Sequence, residues 1–143
     1  MPVIERKRKI GEFAFKKIEE IKDKGFAGEY KSYARSLPSM IINNGLGNAL
    51  AFELSKSKDK SNNLTAHGYL LRHIREFANG YLDFKGGGAS SDQDVLYSEK
   101  EFVRRIMGLD MQSYMFWTEQ ILLFLDWLRK FADGMIEKNE SGD

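Results

Sequence analysis

The 143-residue chain contains no cysteine, which removes disulfides, thiol catalysis and thiolate metal sites together. Its longest uninterrupted apolar run, residues 121–125, is closed off by Gln120 and Asp126 and falls far short of the roughly 20 residues that span a bilayer. The basic stretch from Arg6 to Lys9 is not followed by the apolar segment and small-residue cleavage site of a secretory signal, so the expected location is cytoplasmic. No segment shows the strict alternation of a half-buried strand, and no long period repeats. Histidine is scarce. His67 and His73 are the only two, and at six residues apart on one helix they point about 120° away from each other, so they do not make the one-face pair a metal needs. Gly86, Gly87 and Gly88 do not follow a strand, and no Gly-Lys-Ser/Thr completes a phosphate loop. No nucleophile, base and orienting group can be assembled from what is left. The expectation is a protein that is not an enzyme, with no catalytic, cofactor-binding or metal residues and no small-molecule substrate.

What is present is helix. Residues 110–133 contain neither glycine nor proline, and the periodicity predicts a last helix over 110–138. At about 1.5 Å per residue it would run on the order of 35 Å, the width of a small domain. Tyr114, Trp117, Ile121, Phe124, Leu128, Phe131 and Met135 form one apolar seam, widened by Leu125 and Ala132, while Gln112, Glu119, Asp126, Lys130, Asp133 and Glu137 lie opposite. The polar arc is not clean: Phe116, Leu123 and Trp127 line one flank, Met115 and Leu122 the other. A surface helix needs only about 100° of apolar stripe. This helix either sits centrally among several others or turns a flank toward another subunit.

Upstream, Ile10, Phe13, Ala14, Ile18 and Ile21 predict a helix over 3–24 that stops at Gly25. A short helix over 29–36 carries Tyr30, Tyr33 and Ala34. Pro38 then marks a boundary, because the residue before a proline is pushed out of the helical region; Ser36 is a possible cap for a new turn carrying Met40, Ile41 and Ile42. Asn43-Asn44-Gly45 is a stop, with a left-handed residue at Asn44 or Gly45. Residues 46–54 are helical again. Residues 55–63, rich in lysine and serine, read as an exposed and mobile loop. Thr65 caps a helix to about residue 82, in which Arg72, Arg75, Glu76 and Asn79 are polar positions. Residues 84–97 read as the most flexible loop, and 139–143 as a tail. Ser98 and Glu101 have capping-box spacing and open a helix that Gly108 ends. A chain this long buries about two-thirds of its unfolded surface. The expected fold is therefore all-α: one domain over 1–143, a bundle of about six helices with a long C-terminal one.

Charge is uneven. Residues 1–60 carry 13 Lys/Arg against 8 Asp/Glu, and residues 61–143 carry 9 against 13. Such polarity suits head-to-tail packing of copies, or one face on nucleic acid and another on protein. Glu119, Asp126 and Asp133 recur every seven residues and form one stripe, in which Arg129 and Lys130 can pair with Asp126 and Asp133. Basic pairs occur on helices, several beside aromatics: Lys31 with Arg35, Arg72 with Arg75, Arg104 with Arg105, and Arg129 with Lys130. These side chains bind phosphates without reading sequence.

Two stretches resemble a known family. Tyr30-Lys31-Ser32-Tyr33-Ala34-Arg35-Ser36-Leu37-Pro38-Ser39-Met40-Ile41, followed by Asn44-Gly45-Leu46-Gly47-Asn48-Ala49-Leu50-Ala51-Phe52, resembles the signature of the small subunit of the type III-B CRISPR effector, the Cmr (RAMP module) complex. Trp127-Leu128-Arg129-Lys130-Phe131-Ala132 is similar to that family's closing motif. The first motif is long and fairly specific, the second weak by itself.

The resemblance implies a non-catalytic, all-helical subunit in antiviral defence. Its copies stack into a minor filament beside the backbone subunits that carry guide RNA, and help hold target RNA with basic side chains. Its partners would be other Cmr subunits, copies of itself, guide RNA and target RNA, with no membrane. Arg129 and Lys130 are the first candidates for RNA contact, then Lys31 and Arg35, with Arg72, Arg75, Arg104 and Arg105 behind them. Asn44, Gly45 and Gly47 are expected to make turns and close approaches, Leu37 and Pro38 to shape a corner, and Trp127 and Phe131 to pack rather than stack on bases. The competing reading is a helical protein-interaction module with no direct nucleic-acid role.

Overall fold

The computed structural model describes residues 3–81 and 98–137, and these form six α-helices with no strand among them. In chain order they are α1 (Val3–Ile21), α2 (Ala27–Asn44), α3 (Leu46–Ser55), α4 (Ala66–Glu76), α5 (Glu99–Met107) and α6 (Met111–Met135); a π-helical turn, Phe77–Tyr81, prolongs α4. The expected flexible loop at 84–97 and the tail at 139–143 lie outside the described residues.

α6 is built as the periodicity requires. Asp110 caps it, its Oδ1 accepting the Ser113 N–H at 2.8 Å. Trp117, Ile121, Phe124, Leu125, Leu128 and Ala132 are buried against α1 and α2. α1 runs parallel to α6: Gly11 lies under Trp127, Phe15 meets Phe131 edge to face at 5.3 Å, and both C-terminal ends line one crevice. α2 runs antiparallel, with Lys31 at Ile136, Arg35 at Asp133 and Gly45 beside Tyr114. α3, α4 and α5 close the bundle on the other side of α2.

α2 corrects the sequence expectation at Pro38. The helix is not broken there: it runs from Ala27 to Asn44 with Pro38 inside it. A proline in a helix interior costs about 3 kcal/mol. The continuous helix, however, buries Tyr30, Ala34, Leu37 and Ile41 on one face, and each large apolar side chain buried contributes roughly 1.5–3 kcal/mol. Burial on both sides of Pro38 outweighs the lost hydrogen bond. Ser36 caps nothing; its hydroxyl donates to the Tyr33 carbonyl inside the same helix. The corner assigned to Leu37 and Pro38 is made instead at Gly45, whose φ of +89° and ψ of 155° suit glycine. Gly47 faces the Met107 thioether and the Tyr114 hydroxyl, the latter 3.2 Å from where a β-carbon would stand. Its N–H donates to the Tyr114 hydroxyl at 2.7 Å.

Residues 55–63, expected to be exposed and mobile, are exposed apart from the buried Ser57, and they are held. Asp59 Oδ1 accepts the N–H groups of Ser61 and Asn63, and Thr65 N–H donates to the Ser57 carbonyl at 2.9 Å. Gly68 sits so close under this loop that a β-carbon would meet the Ser57 carbonyl oxygen at 2.4 Å. Thr65 and Ser98 cap α4 and α5 as their spacing predicts, accepting from Gly68 N–H and Glu101 N–H.

A polar network ties α1, α2 and α4, running from the buried Tyr30 and His73 out to Glu20 and Glu76 at the surface. The fully buried Tyr30 hydroxyl donates to His73 Nδ1 at 2.6 Å, and His73 Nε2 faces Glu20 Oε1 at 3.3 Å. Lys17 Nζ reaches Glu20 and Glu76 at 2.8 and 3.0 Å. Glu20, His73 and Glu76 bring ligand-type atoms within 4.8 Å of one another, but Lys17 already supplies a cation on both carboxylates. Burial pushes His73 down despite the pull of Glu20, and pushes the Tyr30 phenol far up. The neutral imidazole that results accepts from Tyr30 and donates to Glu20. The His73 hydrogen bond, helped by Lys17, holds the Glu20 carboxyl at about 2 against burial.

Acid should erode this fold in two stages. His73 takes up a proton near pH 6.5 when unfolded but resists it when folded, so its contribution fades as pH falls below about 6.5. Glu20 stabilises the fold above its ordinary value of 4.5 and loses that contribution as pH falls toward about 2. Melting temperature is expected to drop from pH 7 to pH 4, with His73→Gln flattening the upper part of the curve; an unchanged slope would assign the acid sensitivity elsewhere. Trp127 is half-buried, its indole 3.0 Å from where a Gly11 β-carbon would stand. Trp127→Ala is expected to lower stability by about 2 kcal/mol, below the roughly 3–5 kcal/mol of a fully buried aromatic, and denaturant unfolding measures it.

Candidate nucleic-acid interface

The two sequence motifs meet in space. Arg35 of α2 donates from Nη2 to Asp133 Oδ1 of α6 at 2.8 Å. Arg129 lies 3.8 Å from the other oxygen of Asp133 and 3.2 Å from Asp126, and Lys130 Nζ lies 3.1 Å from Asp126 Oδ2. The result is a strip in which three cations alternate with two carboxylates along the α2–α6 edge. Asp126 and Asp133 of the acidic stripe are thereby paired, as their spacing predicts, and this strip carries one more cation than carboxylates. Arg35 and Lys130 are the most exposed members, each with 60% of its side-chain surface accessible.

Such pairs are weak. An ion pair in water contributes about 0–1 kcal/mol, because solvent screens it and ordering two long side chains opposes it. Little free energy therefore stands in the way of trading a carboxylate for a phosphate oxygen, and Arg35 and Arg129 present planar forks suited to that exchange.

The other basic candidates go elsewhere. Lys31 is buried; its Nζ lies 3.4 Å from the Ile136 carbonyl, where a cation suits the C-terminal end of α6. Arg75, a polar position by periodicity, is also buried, and donates from Nε to Glu99 at 2.8 Å; Arg72 shares that carboxylate at 3.5 Å and lies over the Tyr69 ring. Glu99 thus fastens α5 to α4. Arg104 and Arg105 both bond to Glu101 of their own helix, which holds that carboxyl at about 2. The Arg104 side chain is exposed and that of Arg105 mostly covered. The sequence pairs therefore separate: one member of the first pair and both of the last share the strip. Trp127 and Phe131 stack on each other with centroids 5.8 Å apart.

Sequence reasoning missed Glu53 and what it holds. Glu53 is 2% exposed and lies in the apolar face of α3, with His67 Nδ1 2.8 Å from its Oε1. Burial raises the Glu53 carboxyl against the pull of His67. A glutamate three residues after Leu50 and one before Leu54 sits on the apolar side by spacing alone, and that was the available signal.

The fold and its surface thus define an all-helical bundle that carries exposed cations on a helix–helix edge and, among the described residues, no helix long and apolar enough to cross a membrane. A family profile described as CRISPR-associated protein (Cas_Cmr5) matches residues 6–135, and the chain belongs to that family. It is 26% identical over 125 residues to the CRISPR system Cmr subunit Cmr5 of Thermus thermophilus, covering 87% of this chain and 90% of the relative. The fold matches the crystal structure of a CRISPR-associated Cmr5 family protein, also from Thermus thermophilus, with a TM-score of 0.69 at 23% identity, over 92% of this chain and 98% of the other.

If the strip is a surface network, Asp133→Asn should change unfolding free energy by less than about 1 kcal/mol. A larger loss would make Asp133 a structural tie between α2 and α6 instead.

Proposed function

We propose that this protein is a non-catalytic subunit of a Cmr, type III-B, RNA-guided effector complex in antiviral defence, and that its α2–α6 edge helps hold target RNA or the guide–target duplex. The observation that carries the reading is the convergence of Arg35, Arg129 and Lys130 around Asp133 and Asp126. Two stretches far apart in sequence deliver three cations to one edge, Arg35 and Lys130 exposed and Arg129 half-buried. Backbone contacts of this kind bind RNA without sequence preference, and base pairing with a guide does the reading. Arg104 is the next candidate by exposure; Lys31 and Arg75 serve the fold.

Stacking with copies of itself and docking on other Cmr subunits are part of the same proposal. Met107, Met111, Met115 and Phe116 are exposed at the α5–α6 corner, and Met111 and Met115 line a groove of about 280 Å³ with Leu46 and Tyr114. Exposed apolar surface gathered in one place marks an interaction site. The same corner favours the second reading, a protein-interaction module that never touches nucleic acid.

Target-RNA binding by the reconstituted complex across a salt series separates the two. With Arg129 and Lys130 both changed to alanine, the slope of log affinity against log salt should flatten by about 0.7 per lost contact on a single strand, and by up to about 0.9 on a duplex. An unchanged slope with assembly intact would leave the protein-interaction reading standing.

A further inference from the structure

A small cavity of about 150 Å³ opens on α2 where that helix passes the end of α6, lined by Gly28, Lys31, Ser32 and Arg35. Steps of three, one and three residues place the four within about 100° of arc on one side of α2, over roughly 10 Å of its axis. Among the described residues the lining holds two cations, a hydroxyl and no carboxylate. Arg35 also belongs to the strip, through Asp133. Gly28 also lines the crevice of about 380 Å³ between the C-terminal ends of α1 and α6, where Lys22 and Lys24 stand with Asp23 and Glu137. The cavity thus lies between the cationic strip and that crevice.

Lys31 distinguishes this cavity from the rest of the surface. It is 7% exposed, yet among the described residues no carboxylate pairs with it. Every other basic candidate meets one: Asp133, Glu99, Glu101 or Asp126. Lys31 has the neutral Ile136 carbonyl at 3.4 Å, beyond the usual range of about 2.7–3.2 Å. That bond ties Lys31 into the fold and uses one of the three donors an ammonium carries. Taking a cation out of water is unfavourable until it is paired. The C-terminal end of α6 supplies part of the compensation, and an anion in the cavity would supply the rest. The Ser32 hydroxyl is exposed and has no protein partner among the described residues. Phe26 starts α2 without a side-chain cap, so the first-turn N–H groups around Gly28 add positive character at the same end.

Resting on the reading of the α2–α6 edge as an RNA contact, we propose that this cavity takes one backbone phosphate of the bound strand. Lys31 Nζ and the Ser32 hydroxyl donate to its oxygens, and Arg35 closes the site from the strip side. A phosphodiester carries one negative charge, which matches the one buried cation that lacks a carboxylate. The bound strand then runs from Arg129 and Lys130 past Arg35 to the start of α2. A phosphate contact of this kind fixes the path of the strand and carries no sequence information.

Inorganic phosphate titrated into the isotope-labelled full chain, against chloride at matched ionic strength, tests the site through the Gly28 and Ser32 amide signals. They are expected to move saturably, and the melting temperature to rise with phosphate. Lys31→Met keeps an apolar stem and removes the charge. Exchanging buried charge for apolar volume is often neutral or stabilising, so this variant should melt no lower than the parent without phosphate and lose the phosphate response. Ser32→Ala, at an exposed position, should weaken phosphate binding roughly fivefold. In the reconstituted complex, Lys31→Met should flatten the salt slope of target-RNA binding by about 0.7. Unmoved Gly28 and Ser32 signals, or a phosphate response that survives in folded Lys31→Met protein, would overturn the site. If Lys31→Met does not fold, unchanged phosphate affinity in Ser32→Ala overturns it instead. Phosphate binding with an unchanged RNA slope would overturn the RNA assignment and make this a site for free phosphate. If Arg129→Ala with Lys130→Ala flattens the slope while Lys31→Met does not, the cavity fails and the functional reading stands; if neither flattens it, the functional reading fails as well.

Discussion

Burial of one face of α6 between a parallel α1 and an antiparallel α2 is the contact from which the remaining geometry follows. Six side chains of α6, from Trp117 to Ala132, are removed from water there. At roughly 1.5–3 kcal/mol for each large apolar side chain, no surface pair competes with that contribution. Once this face is turned inward, Asp126, Lys130 and Asp133 fall on the opposite side and Arg129 on its flank, beside Leu125 and Ala132. The cationic strip is what the buried seam leaves outside.

The same contact explains why α2 must not break at Pro38. Arg35 reaches Asp133 and Lys31 reaches Ile136 because one uninterrupted helix runs antiparallel to α6. A corner at Pro38 would have separated these residues from the Gly45 turn that sets Gly47 against Tyr114. Apolar residues on both sides of the proline, Ala34 and Leu37 before it and Ile41 after it, make the unbroken helix the lower state.

Charged groups fall into two populations with different work to do. Those taken out of water are committed: Lys31 to the end of α6, Arg75 to Glu99, and His73 to Tyr30 and Glu20. Removing one partner strands a buried polar group, which costs far more than the pair contributes. Those on the α2–α6 edge are paired at the surface, where solvent screens each pair. Exposure thus separates the basic residues that hold the fold together from those suited to touch a partner.

Much of the fold was legible in the chain because helices are local. The seam of α6, the caps at Thr65 and Ser98, and the stop at Gly45 all depend on residues within a few positions of one another. Family membership was legible for the same reason, since its signatures are contiguous stretches. Three things were decided only by tertiary structure. Pro38 was accommodated because packing partners outweigh a local preference. The basic pairs were sorted into buried and exposed by neighbours up to 105 residues away, as with Lys31 and Ile136. Glu53 and His67, fourteen positions apart, became a pair only when α3 and α4 packed together. Local periodicity says which side of a helix is apolar; which helix covers that side, and which charges are covered with it, depends on contacts between segments distant in sequence.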